Sequence, residues 1–354
     1  MKQTIGIIGG GQLGMYLSLA ACQLGYKTVV YDQSKEVSAA NLCDIFVEGS
    51  FNDKNKLEEF CKLCDVITYE FENINSNIVE ELSQKYNIVQ KAKPLILSSS
   101  RLNEKELAKK LDIKTINWQY IESKEQEIIL NYPYIMKSVS LGYDGKGQYK
   151  IYKKEDLVKV DFTNTTYMCE ELLDFDYEIS VIAIKSINDE LKFYEPFSNL
   201  HVNGILHMTT LEKQSNSIIK QANEIVKKII DENNIYGILC VEFFVKDGIV
   251  YFNEIAARPH NSGHITMDTH ITSQYHNHIK AITGEKLGST AIKCNAVMVN
   301  ILGQDLDKLK LILNQYGDSI NYYDYRKTPK HNRKIGHLVD YNLENIQYYK
   351  NNFR

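Results

Sequence analysis

No apolar run in this chain of 354 residues approaches the roughly 20 residues that a membrane-spanning helix needs. The opening segment, MKQTIGIIGGGQLG, lacks a cleavage-site pattern, because its short apolar stretch runs straight into a glycine loop; it reads as no signal peptide. An excess of charge of one sign is missing too. With 41 Lys and Arg against 45 Asp and Glu, the formal net charge is -4, which offers no global attraction to nucleic acid or an anionic membrane. Neither is expected as a partner, and any phosphate site must be local. Cysteines number seven, at 22, 43, 61, 64, 169, 240 and 294, an odd and scattered set. Cys61 and Cys64 have CxxC spacing, but they lie in the helical-looking EEFCKLCD without a second pair or a nearby histidine to complete a zinc site. Reduced packing cysteines in a cytoplasmic protein are the expectation. Internal repeats and low-complexity linkers are also lacking, so the domains should pack closely.

The length suggests two or three packed units, and 44% apolar residues suffice for their cores. Residues 4–8 form a short apolar strand, followed by a glycine turn and a helical pattern to about Leu24. A second strand at 28–31 ends at Asp32, and β-like runs recur at 45–47, 66–68 and 88–89 with helical stretches between them. That alternation predicts a Rossmann-like parallel α/β domain over 1–97. From Ser98 the texture changes. Residues 101–111 are a strong helix candidate with Ser98–Ser100 available as caps, and 216–231 is a long amphipathic helix. Strands at 237–245 and 249–253 are joined by the turn Lys246-Asp247-Gly248. A central α+β domain over 98–284 and a small β-rich domain over 285–354 complete the expected organisation.

Four constellations carry chemistry. The first, Gly9-Gly10-Gly11-Gln12-Leu13-Gly14, fits G-x-G-x-x-G between a strand and a helix, with Asp32 ending the next strand. Taken alone it indicates a nicotinamide or flavin dinucleotide, yet many α/β domains use such a turn for packing or for another phosphate. The second is Lys137 at a strand end, followed by the loop Gly142-Tyr143-Asp144-Gly145-Lys146-Gly147-Gln148, whose amides could close over a polyphosphate. The bland alternative there is a hairpin with solvated lysines. Third, Glu242 and Glu254 lie on consecutive strands, where they can face each other with Asn253 alongside; these are hard oxygen ligands suited to magnesium on ATP phosphates. Directly after them comes the polar run Arg258-Pro259-His260-Asn261-Ser262-Gly263-His264, where a second substrate would sit. Fourth, Lys327, Lys330, Arg333, Lys334 and His337 put positive charge within eleven residues of a net acidic chain, which suits a monophosphate, although such clusters are more often solvated faces.

The segments IGIIGGGQLG, VITYEFEN, KSVSLGYDGKGQ, NEIAARPHNSGH and RKIGH, in that order along the chain, resemble the 5-(carboxyamino)imidazole ribonucleotide synthase family of ATP-grasp enzymes. The resemblance implies an ATP-grasp fold with an N-terminal α/β domain, and commonly a homodimer. It also implies a reaction in which magnesium ATP (manganese being a possible substitute) activates bicarbonate as carboxyphosphate for transfer to the amine of aminoimidazole ribonucleotide. Carried over by motif, ATP contacts would be Arg101, Lys137, Gly142, Tyr143, Asp144, Gly145, Lys146, Gly147, Gln148, Glu170, Glu171, Leu172, Leu173, Glu178, His201, Asn253 and Glu254. Glu242 and Glu254 would hold the metal. Gln12, Leu13, Glu70, Asn261, Lys327, Arg333 and Lys334 would bind the ribonucleotide, and Tyr143, Asp144, Arg258, His260 and Asn261 would serve catalysis. The glycine turn is thereby reassigned from a dinucleotide to the acceptor substrate. Met15, Lys330 and Ile335 depart from the family pattern, and Lys330 loses the bidentate fork of the usual arginine. A formate-using transformylase or a biotin carboxylase-like enzyme shares the nucleotide half, but not GYDGKGQ with RPHNSGH.

Overall fold

The computed structural model of the protein describes residues 2–140, 147–163 and 165–353. Four parallel strands, β1 (Thr4–Ile8), β2 (Lys27–Asp32), β3 (Ile45–Glu48) and β4 (Val66–Tyr69), form the first sheet in the order β3-β2-β1-β4. β1 and β4 are apolar almost throughout because helices cover both sheet faces. α1 (Gln12–Gln23) packs on one face; α2 (Lys54–Cys61), α3 (Ser76–Ser83) and α4 (Lys93–Ser98) pack on the other. The expected fifth strand at 88–89 is only a single parallel bridge from Ile88 to Ile67. Lys91 turns left-handed at φ 57 and Pro94 opens α4, so the chain leaves the sheet before a ladder can grow.

Ser100 caps α5 (Arg101–Lys110) through its hydroxyl, which accepts from the Asn103 amide. Next comes an antiparallel sheet of β5 (Trp118–Ile121), β6 (Tyr134–Ser138), β7 (Gln148–Ile151) and β8 (Tyr167–Glu171), ordered β5-β8-β6-β7. The largest sheet has nine strands. It contains β9 (Tyr177–Lys185), β10 (Leu191–Phe193), β11 (Phe197–Val202), β12 (Ile205–Thr210), β13 (Gly237–Lys246) and β14 (Ile249–Ala256). α6 (Asn216–Asn233) lays Ile218, Ala222, Val226 and Ile229 on this sheet against Val241, Phe243 and Val245, the periodicity of one helix face. Each such large apolar side chain contributes roughly 1.5–3 kcal/mol on burial. At the β13–β14 turn, Asp247 (φ 50) and Gly248 (φ 73) are both left-handed, as a two-residue hairpin matched to strand twist requires.

After α7 (Thr266–Thr269) and α8 (Gln274–Thr283), the chain adds β15 (Val297–Leu302), α9 (Leu306–Tyr316), β16 (Ile320–Asp324), β17 (Lys334–Asp340) and α10 (Ile346–Asn352). These last strands extend the large sheet through β12–β15 pairing, and the same sheet therefore runs through the central and C-terminal segments. Tyr275, Ile279 and Ile282 of α8, together with Tyr325, join the core beneath α1. The N-terminal core is thus completed by residues distant in sequence, which seats the first sheet against the nine-stranded one. Among the described residues no helix is long and apolar enough to cross a membrane.

Gly14 shows how tightly α1 is seated: a Cβ there would lie 2.3 Å from the Gly9 carbonyl oxygen. Gly14→Ala should lower the unfolding free energy by about 1–3 kcal/mol, the range for overpacking. Urea denaturation measures this, and an unchanged midpoint would contradict the seating.

Candidate active site

Glu242 on β13 is the direct cross-strand partner of Glu254 on β14. The register shifts immediately afterwards, since Phe243 pairs with Phe252 and leaves Asn253 as the extra residue of a bulge. Strict alternation would put Asn253 and Glu254 on opposite faces. Because of the bulge, Phe252 and Ile255 both enter the core, while Asn253 and Glu254, side by side, remain half-buried. α5 secures this distortion: Glu104 accepts from the Ile255 amide at 2.7 Å, and Lys105 donates to Thr115 at 2.9 Å, whose hydroxyl in turn donates to the Phe252 carbonyl at 3.1 Å.

Basic side chains surround the carboxylates. Arg101 approaches Glu254 at 3.7 Å and donates to the Ser138 carbonyl. His260 Nε2 lies 3.2 Å from Glu242, and His201 Nε2 lies 4.0 Å from it. Burial opposes charge on His201, but its bond to Glu178 and the charge of Glu242 lift its pKa to about 9. Burial pushes Glu242 upward, against the pull of His201 and with the repulsion of Glu254. Two carboxylates held together in this way favour a cation between them.

Lys137 reaches the same region from β6, with its ammonium 2.5 Å from Glu170. Glu170 is nearly inaccessible, at 1% exposure, and its other oxygen takes Lys105 at 2.6 Å. Burial alone would neutralise Glu170, but the two lysines outweigh it and hold the carboxyl well below the usual range. Its side chain therefore fixes Lys137 at its strand end. Glu171 bonds to Asn117 at 2.9 Å. Leu172 is exposed and Leu173 half-buried; beside them Phe175 stacks on Phe244 at 4.6 Å. Gly147 and Gln148 lead into β7, whereas Gly142, Tyr143, Asp144, Gly145 and Lys146 lie outside the described residues.

The opposite wall is the glycine turn. Gly10 donates to Asp32 at 2.7 Å, and Asp32 also accepts from Gln33. Both oxygens of Asp32 thus serve the turn. Gly11 donates to Glu70 at 2.7 Å. Burial lifts the Glu70 carboxyl to about 7, against that bond and the charges of Arg258 and Lys327. Arg258 donates to Glu72 at 3.1 Å. Lys327 hydrogen-bonds Gln12, which ties the C-terminal segment to the start of α1. Leu13 is 5% exposed and belongs to the core, leaving only its backbone to face a ligand. Asn261 is buried with neither its Oδ1 nor its Nδ2 bonded, an arrangement that calls for a ligand.

The basic cluster divides. Lys334 is half-buried and its charge acts on Glu242 and His260. Arg333 is also half-buried and donates to the Thr328 carbonyl at 3.2 Å, while Lys330 is exposed. His337 is no part of the positive face. It is fully buried, stacked between Tyr323 and His264 with both ring centroids at 4.7 Å, and burial lowers its pKa to about 3. His264 is likewise an interior ring, accepting or donating at Tyr275. Glu72, Glu104 and Lys105 were absent from the sequence-derived site. Glu72 had a signal in its spacing from Glu70 past the end of β4; Glu104 and Lys105 had none, since they read as the polar surface of a helix. Glu170→Ala should lower the unfolding free energy by about 3–5 kcal/mol, because it leaves Lys105 charged and buried with only a hydroxyl. Chemical denaturation measures the loss, and a value near the parent's would contradict the triad.

Three family models match in succession: a ribonucleotide synthetase preATP-grasp domain at 1–99, an ATP-grasp domain at 106–275, and a phosphoribosylaminoimidazole carboxylase C-terminal domain at 296–343. An N5-carboxyaminoimidazole ribonucleotide synthase of Staphylococcus aureus is 37% identical over 95% of this chain and 92% of its own length. One of Aquifex aeolicus is 37% identical over 95% of this chain and 91% of its own. The crystal structure of an N5-carboxyaminoimidazole synthetase from Staphylococcus aureus complexed with ADP has a TM-score of 0.93 at 35% identity, covering 100% of this chain and 96% of that one. With this agreement over nearly its whole length, the chain belongs to the N5-carboxyaminoimidazole ribonucleotide synthase family.

Proposed function

We propose that this protein couples ATP cleavage to carboxylation of 5-aminoimidazole ribonucleotide by bicarbonate. The products are N5-carboxyaminoimidazole ribonucleotide, ADP and phosphate, in purine synthesis. The observation that carries the reading is the Glu242–Glu254 pair in direct register, with the phosphate-suited Lys137 and Arg101 on one side and the unpaired amide of Asn261 on the other. Arg258 is also beside Glu72, within the charge field of Glu70.

Among the described residues no three His, Cys, Asp or Glu side chains gather into a ready-made metal cage. Two carboxylates still fit magnesium, which is commonly held by one or two carboxylates with substrate phosphates and water completing its shell. Glu242 and Glu254 would hold the ion, and Asn253 beside them offers an amide oxygen. Such an ion neutralises charge on the phosphoryl group in transfer. The protein's own groups do the rest. Lys137, braced by Glu170, sets a point charge on phosphate oxygens. Arg101 links the nucleotide side to Glu254. Gln12, Glu70, Arg258 and Asn261 surround the acceptor, and Lys327, Arg333 and Lys334 take its 5′-phosphate. Bicarbonate, an anion, would meet Arg258. The seven free thiols accord with a cytoplasmic enzyme, and a homodimer is the assembly that the family resemblance implies.

Glu254→Gln keeps shape and removes one charge. Turnover at saturating magnesium should fall by more than about a hundredfold, the upper end found for residues that only orient a metal ligand. The unfolding midpoint should stay near the parent's. Near-parent turnover would remove the metal assignment, and global unfolding of the variant would remove its purely catalytic role.

A further inference from the structure

Behind Glu242 a line of hydrogen bonds runs into the sheet interior. His260 Nδ1 is 2.8 Å from the Ser262 hydroxyl, and that hydroxyl is 2.8 Å from the hydroxyl of Ser180. Asn199 Nδ2 donates to the Ser180 oxygen at 2.9 Å, and Asn199 Oδ1 accepts from Thr209 at 3.0 Å. Ser180, Ser262 and Thr209 are fully buried and Asn199 is 9% exposed, so solvent does not compete for these bonds. Ser180 sits on β9 as the direct partner of Glu242 on β13, which places the start of the line beside the carboxylate it serves.

The line has a direction. The Ser262 backbone N–H donates to His260 Nδ1 at 3.3 Å, and an N–H can only donate; Nδ1 is therefore an acceptor. At the other end of the ring, Nε2 lies 3.2 Å from the Glu242 carboxylate, and a ring that accepts at Nδ1 carries its proton on Nε2. Between these ends the order closes without conflict. Asn199 donates to Ser180, Ser180 donates to Ser262, Ser262 donates to Nδ1, and Nε2–H donates to Glu242.

We infer that Asn199, Ser180 and Ser262 are positioning residues: they fix His260 as its Nε2–H tautomer, so that it holds in place the Glu242 carboxylate that would bind the magnesium of ATP. Outer hydrogen bonds of this kind set both the orientation and the basicity of a ligand. His260 itself, expected to serve catalysis directly, here acts on the carboxylate. The inference rests on the magnesium reading above only for its consequence, since the tautomer exists without metal.

Nitrogen-15 NMR of the histidine-labelled, full-length, metal-free protein reads the ring directly, with His260→Gln identifying the resonances. The expected spectrum has protonated Nε2 and unprotonated Nδ1. Ser262→Ala should move the Nδ1 resonance toward that of an unbonded ring nitrogen, and Ser180→Ala should move it less in the same direction. In the holoenzyme assay both variants should raise the magnesium concentration for half-maximal rate, Ser262→Ala by about tenfold, while the ribonucleotide KM stays near the parent's. A ring protonated on Nδ1 in the parent overturns the inference, and this arm needs no variant to fold. So does a Ser180→Ala protein with parent-like Nδ1 resonance and magnesium dependence, which would reduce the line to one local contact. Failure of the magnesium reading is separate: it shows as insensitivity to Glu254→Gln with the His260 tautomer intact.

Discussion

Two carboxylates opposed in register on neighbouring strands repel each other, and much of this molecule's polar architecture answers that repulsion. Glu242 and Glu254 meet at a β-bulge that turns consecutive polar residues toward one side. His201, His260 and Arg101 approach them, and Glu178 in turn holds His201 charged. Buried charge is tolerated only when paired and hydrogen-bonded. The same rule explains the triad of Lys105, Glu170 and Lys137, in which a fully buried anion between two ammonium groups keeps Lys137 at its strand end. The site is thus a set of charges that the fold holds near one another, with a cation as the natural completion.

The glycine turn contributes a second constraint. In a dinucleotide-binding domain the helix N-terminus would face pyrophosphate and the acid after the second strand would face ribose. Here Asp32 is drawn into the turn by Gly10, Glu70 by Gly11, and Lys327 arrives from more than 300 residues away to bond Gln12. The turn has become one wall of a site whose other wall is the large sheet. Its close seating, with α8 and Tyr325 completing the core under α1, keeps those walls together.

Periodicity and turn chemistry made much of this legible before any coordinates. The hairpin at Asp247 and Gly248 pointed to Glu242 opposite Glu254, and the register is the observed one. Ser100 capping α5 and the amphipathic face of α6 were local signals of the same kind. What escaped was decided by long-range packing. His337 counted as a basic residue on spacing alone, but its environment is set by Tyr323 and His264, which are close only in the fold. Leu13 sits in a motif that contacts ligands, yet a strand-to-helix turn must also seat its apolar side chain in the core. Lys105 and Glu104 read as helix surface because nothing nearby in sequence reveals that β14 will cover them. The bulge at Asn253, finally, follows from how two strands pair and from neither strand alone.

The central claim is that the carboxylate pair and the basic C-terminal residues serve one reaction between ATP, bicarbonate and a phosphorylated amine. ADP release measured with magnesium ATP, bicarbonate and 5-aminoimidazole ribonucleotide, each omitted in turn and the ribonucleotide also replaced by its dephosphorylated nucleoside, tests it most directly. The account predicts full release only with all three present and little stimulation by the nucleoside. Release that is indifferent to bicarbonate or to the ribonucleotide, or equal stimulation by the nucleoside, would contradict it.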